Sequence, residues 1–210
     1  MGSPLFPPLI VTRKAGCEPF RTGSQILPFD ILSFWQWSSS DLASNALRGM
    51  VAEFLVAHAL GITGGMRIEW KSYDLVSNEG VTVEVKSAAY LQTWAQKAYS
   101  SINFDIAAKQ AWDATTNKMS SDSRRQADVY VFALLHHRDK ATVDPLDLSQ
   151  WLFYVLPTAV LNARVSTQKQ LGLNTLLRLE PEVREFGNLR EAIARAAQFE
   201  QVATIESKEL

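Results

Sequence analysis

The sequence predicts an α/β fold: an αβββαβ core with a mixed central sheet flanked by helices, extended at both termini. Three observations carry that expectation. Residues 38–61 place apolar side chains three and four apart, the period of an amphipathic helix. The run Val81-Thr82-Val83-Glu84-Val85-Lys86 alternates strictly, as a half-buried strand does. Ala127 to Leu135 is almost continuously apolar, which suits a central strand covered on both faces.

Composition sets the outer bounds. The chain has 210 residues, of which 47% are hydrophobic and 20% charged, enough for one domain with a substantial core. Its formal charge of −1 and its apolar content exclude disorder along the whole chain. With 21 basic and 22 acidic residues it has no global nucleic-acid signature, so any such role must rest on local features. No apolar run reaches the ~18–20 residues that span a bilayer, and Met1-Gly2-Ser3-Pro4 does not open a secretory signal. The lone Cys17 can form neither an internal disulfide nor a cysteine metal site. A cytoplasmic protein with no membrane partner is the expectation.

The elements follow in order. Residues 1–37 hold Pro4, Pro7, Pro8, Pro19 and Pro28 and sustain no periodicity. They read as an irregular arm laid on the core through Phe29, Ile31, Phe34, Trp35 and Trp37. A domain over 38–199 follows, then a frayed tail over 200–210. Its first helix has cap candidates at Ser38-Ser39-Ser40-Asp41, a glycine stop at Gly61, and a stripe of Leu47, Met50, Val51, Phe54, Leu55 and His58. Glu53 flanks the stripe between the small residues Gly49 and Ala57, with room to reach inward. A short first strand is expected in Arg67-Ile68-Glu69-Trp70-Lys71, broken near Lys71-Ser72. Asn78-Glu79-Gly80 then turns a hairpin between Tyr73–Val76 and Val81–Lys86. Phe104, Ala107, Ala108, Ala111 and Trp112 suggest a helix capped by Ser101 or Asn103. Two strands, Ala127–Leu135 and Trp151–Leu156, come next, then a strand near Leu173–Leu179. The capping box Asn188-Leu189-Arg190-Glu191 opens a last helix with Leu189, Ile193 and Ala196 inward.

The hairpin carries the chemistry. If it turns on Asn78-Glu79-Gly80, Asp74 lies opposite Glu84 on one face, with Cβ atoms ~4.5–5.5 Å apart. Lys86 shares that face, but one ammonium beside two carboxylates leaves negative charge over. A hard divalent cation such as Mg²⁺, or Mn²⁺ in its place, would balance it. Such a site suits phosphodiester hydrolysis, in which the ion lowers the pKa of water and neutralises charge on the phosphate. Lys86 would position the attacking water or face the transition state, and Glu53 would supply a further oxygen. Glu-x-Lys alone means little: about one is expected by chance in a chain of this size, and three occur. Of Glu69-Trp70-Lys71, Glu84-Val85-Lys86 and Glu206-Ser207-Lys208, only the middle one has an alternating strand, an opposed aspartate and a preceding helix with a flanking glutamate. An ordinary solvent-facing ion pair is the competing reading of the same three side chains.

Tyr73-Asp74-Leu75-Val76…Val83-Glu84-Val85-Lys86-Ser87 resembles the PD-(D/E)XK, or restriction-endonuclease-like, nuclease superfamily, and within it the Holliday-junction-resolvase-like branch. The resemblance spans about residues 40–135, with Tyr73 where the family name has proline. It implies a Mg²⁺-dependent nuclease acting on DNA, with Asp74, Glu84, Lys86 and Glu53 catalytic and the metal held by Asp74, Glu84 and the Val85 carbonyl. Ser87, Arg124 and Arg125 are the candidate nucleic-acid contacts, within a segment from Lys86 to Arg125 that holds six basic residues against three aspartates. A homodimer would supply two sites for two strands. The alternative is a catalytically idle nuclease fold that binds nucleic acid or a protein partner.

Overall fold

The computed structural model describes residues 6, 9–69, 71–113 and 117–206. Strands β1 (Pro19–Thr22) and β2 (Gln25–Asp30) lead into helices α1 (Ile31–Ser39) and α2 (Asn45–Ala59). Strands β3 (Leu75–Val76), β4 (Thr82–Ala89), β5 (Asn103–Asp105), β6 (Lys109–Asp113), β7 (Lys118–Arg124), β8 (Val129–Leu135) and β9 (Trp151–Pro157) follow. The chain closes with α3 (Thr158–Arg164), β10 (Gln170–Gly172), α4 (Leu173–Arg178), β11 (Glu182–Arg184) and α5 (Leu189–Glu206). Among the described residues no helix is long and apolar enough to cross a membrane.

Five strands make the central sheet, in the order β11-β9-β8-β4-β3. Only β4 and β8 run parallel; the other pairs are antiparallel, so the sheet is mixed as predicted. The all-apolar run of β8 explains its central place, because its two faces serve two cores. Val129, Val131, Ala133 and Leu135 pack with Val83 and Val85 beneath α2 and α5. Tyr130, Phe132 and Leu134 face the other way, against Phe104, Ile106, Leu161, Leu171 and Leu176. Leu189, Ile193 and Ala196 are buried along α5, as the capping box foretells, while the helix continues to Glu206 rather than fraying from 200.

The element order departs from αβββαβ in several places. Residues 67–69 form no strand, and Trp70 lies outside the described residues. The helix expected over 103–120 is instead β5 and the β6–β7 hairpin, with 114–116 outside the described residues. The alanines imitated a helical stripe, yet the buried side chains are Phe104 and Ile106, two apart as in extended chain. Asn117 at φ 52° turns the chain where a helix would have run on. Leu173–Arg178 is helix rather than strand. The helix expected over 38–61 is divided: α1 ends at Ser39, and α2 begins after Ser44. Gly61 does end α2, at φ +72°. The buried face of α2 is Arg48, Ala52, Leu55, Val56 and Ala57, so Met50, Phe54 and His58 are turned outward. Among its described residues the arm is a hairpin and a helix, neither of which buries a residue, and Phe29, Phe34, Trp35 and Trp37 stand exposed rather than seated in a core.

Candidate active site

The hairpin has the register that its turn demands. Leu75 pairs with Val83 and Val76 with Thr82, while Ser77 N–H donates to the Val81 carbonyl across Gly80 at φ +85°. One step further out, Asp74 N–H donates to the Val83 carbonyl at 3.1 Å, which brings Asp74 beside Glu84. The Asp74 carboxylate does not point idly away: its Oδ2 accepts from Val85 N–H at 2.7 Å. Glu84 and Lys86 alternate onto one face of β4 and meet there, Lys86 Nζ donating to Glu84 Oε1 at 2.5 Å. Their side chains keep only 12% and 19% of their surface in water, unlike a solvated surface pair.

Electrostatics mark Asp74 as the strained member. Burial first, and the Glu84 carboxylate second, push its carboxyl from the ordinary 3.8 up to about 6, against the pull of Val85 N–H and Lys86. Burial would lower the Lys86 ammonium, but Glu84, Asp74 and Asp105 outweigh it and hold the lysine above its ordinary value. Lys86 is therefore a fixed cation between carboxylates. Tyr130, beside Glu84 on β8, is also raised, chiefly by burial.

Glu53 approaches Asp74 from α2 but stays outside the Asp74–Glu84 pair. Two hydrogen bonds tie its carboxylate to Arg67, from Nε at 2.5 Å and from Nη2 at 3.0 Å, and Asp74 feels its charge. Glu53 thus lines the hollow that borders Asp74 on the α2 side, while Glu84 and Lys86 line the cleft on the other. That cleft, about 810 Å³, is closed on its far wall by the β6–β7 hairpin through Lys109, Gln110, Trp112 and Met119. Lys71 and Asp74 border both spaces.

The remaining predicted contacts separate. Ser87 lies on the opposite face of β4 from Glu84 and Lys86 and faces α2, where a Cβ at Gly49 would stand 4.0 Å from its Oγ. Arg125 is buried, and its guanidinium donates to Asn162 Oδ1 and to the carbonyls of Ile106, Val165, Ser166 and Gln168. It staples the second core and cannot reach a phosphate. Arg124 is exposed; it pairs across the hairpin with Lys109, and its Nε donates to Gln126 Oε1, both of these partners lining the cleft. Lys71 and Lys109 line the cleft without being candidate contacts on sequence: Lys71 belongs to a Glu-x-Lys with no opposed acid, and Lys109, one of the six basic residues between Lys86 and Arg125, falls in the expected helix.

Among the described residues no three His, Cys, Asp or Glu side chains converge to hold a metal. What the site offers is two carboxylates, one of them desolvated and repelled by the other, with backbone oxygen beside them. That donor set fits a hard, oxygen-seeking divalent ion that keeps several of its waters, and does not fit one that demands nitrogen or sulfur.

A model of the family described as bacteriophage T4 endonuclease IV matches residues 31–170, which is two thirds of the chain and takes in α1 through the start of β10. No individual curated protein matches it.

Proposed function

This chain belongs to the bacteriophage T4 endonuclease IV family, and on that premise we propose that it is a divalent-metal-dependent endonuclease of the PD-(D/E)XK type, hydrolysing DNA at Asp74, Glu84 and Lys86. The observation that carries the reading is geometric: Asp74, Glu84 and Lys86 are gathered at one sheet edge inside a cleft, Lys86 donating to Glu84 and Val85 N–H donating to Asp74, and burial beside Glu84 pushes the Asp74 carboxyl up. Asp74 and Glu84, with the Val85 carbonyl, would hold Mg²⁺ or Mn²⁺. The ion would supply neutralisation of the charge that grows on the phosphate and make water a better nucleophile.

The chain's own residues do the rest. Lys86, kept charged by Glu84, acts as a donor: it orients the attacking water and faces the developing negative charge. Glu53 holds Arg67 across the neighbouring hollow and adds an acid at one remove from Asp74. Lys71 and Lys109 give the cleft a basic rim for the phosphate backbone, with Arg124 beside Lys109 across the hairpin, in place of the buried Arg125. The near-neutral chain is no obstacle, because the positive charge is local.

The test is cleavage of circular and linear DNA, and of RNA, in Mg²⁺, Mn²⁺ or chelator. Wild type should cut DNA only with metal, and Lys86→Ala and Glu84→Gln should lose at least 100-fold. Full metal-dependent activity in either variant would refute the assignment. Firm binding without cutting would favour the idle fold.

A further inference from the structure

We propose that the hollow on the α2 side of Asp74 is a base pocket, holding one nucleobase of the strand whose phosphate lies in the cleft. The proposal rests on the nuclease reading and adds to it the part of the substrate that is read. The hollow measures about 370 Å³, near the small end of ligand pockets, and is floored by Met50, Phe54, Ile62, Met66 and Ile68. Met50, Phe54, Met66 and Ile68 are each more than two-fifths exposed. Apolar side chains gathered at the surface beside a cluster of charges mark a place that something apolar covers.

The chemistry of the walls selects the occupant. A nucleobase has two flat apolar faces and a polar edge. Phe54 offers a face that is held in place: its ring stacks on His58 at 6.1 Å, and His58 stacks on Phe186 at 6.1 Å. Aromatic faces of this kind stack on any base once it is seated, so the choice among bases falls to the polar rim. Glu53 and Arg67, locked to one another by two hydrogen bonds, give the rim both acceptors and donors for a base edge. An alkyl chain would leave that rim unanswered, and a bare phosphate would have no use for the floor.

Continuity places the base. Asp74 and Lys71 line both the hollow and the cleft that contains Glu84 and Lys86. A strand with a phosphate at Glu84 and Lys86 passes over Asp74 with its adjoining nucleotide at the mouth of the hollow. The base enters, and the apolar surface is covered.

Two measurements test this. In the first, wild type with Mg²⁺ cuts a pool of oligonucleotides of random sequence, and the product ends are sequenced. One position beside the cut should show at least tenfold preference among the four bases, and Phe54→Ala and Ile68→Gln should each reduce it below threefold. No preference beside the cut, or one that both variants retain, overturns the pocket. In the second, fluorescence anisotropy in chelator compares 12-mers bearing bases with an abasic 12-mer of equal charge. Wild type should bind the abasic strand at least tenfold more weakly, and Phe54→Ala should narrow that gap to threefold or less. An unchanged gap overturns the proposal. If Phe54→Ala alters only the mass of the protein in solution, the floor is a contact between copies, and the proposal again fails. Failure to cut the pool at all counts against the nuclease reading alone, since the anisotropy reads the pocket without cleavage.

Discussion

Replacing Asp74 by asparagine should make the metal-free protein more stable. In the folded chain its carboxyl is raised from 3.8 to about 6, first by burial and then by Glu84. The unfolded chain keeps the ordinary value, so between roughly pH 4 and 6 the folded state binds more protons. Stability from this group is therefore greatest below the unfolded value and is lost as the pH rises through about 6. In a site sealed from water that rise would be worth roughly 3 kcal/mol; water reaching a half-buried carboxyl reduces this to about 1–2 kcal/mol. Asparagine removes the charge, and its Oδ1 can still accept from Val85 N–H, the bond that Asp74 makes at 2.7 Å. Urea unfolding in chelator should find Asp74→Asn about 1–2 kcal/mol more stable than wild type at pH 7.5, the gap closing towards pH 4. Added Mg²⁺ should reverse the order by stabilising wild type alone. A variant less stable at pH 7.5, or a gap that does not move with pH, would refute the reasoning.

Other outcomes follow from the same geometry. Arg125→Ala should cost about 3 kcal/mol or more in urea unfolding, because it strands the buried carbonyl of Ile106 and empties the space that ties Asn162 and the Val165–Gln168 turn to the core. Arg124→Ala should leave stability within about 0.5 kcal/mol, yet lower the salt dependence of DNA binding by about one counterion, as should Lys109→Ala. Glu53→Gln, which removes the charge paired with Arg67 and leaves that arginine to Glu69, should slow cleavage by about 10–100-fold in steady-state assays, less than the loss in Lys86→Ala.

The site was legible where local rules suffice. A three-residue turn ending in glycine fixes the register, and register alone puts Asp74 beside Glu84 and Lys86 on the same face. The sheet was legible where strands were long and apolar, at β8 and β9. What failed depended on tertiary context. Three alanines between Phe104 and Trp112 suit helix and strand equally, and only burial of Phe104 and Ile106 beneath β8 decides for extended chain. Arg125 and Arg124 are neighbours with the same charge, and nothing local says that one turns into the core. The outward faces of Met50 and Phe54 read as an inward stripe, because spacing gives the period of a helix but not which of two apolar arcs is buried. Phe29, Phe34, Trp35 and Trp37 are of types that usually lie inside, yet they are exposed, because residue type alone does not say whether a surface is there to receive them.

The claim that Asp74 and Glu84 hold the ion of a nuclease is tested most directly by a crystal soaked in Mn²⁺ and measured for anomalous scattering. One strong peak is expected, bound by both carboxylates at about 2.0–2.3 Å, absent after soaking with chelator and absent in Asp74→Asn. A protein that cuts DNA in Mn²⁺ yet shows no peak between these two side chains, or shows it elsewhere, would contradict it.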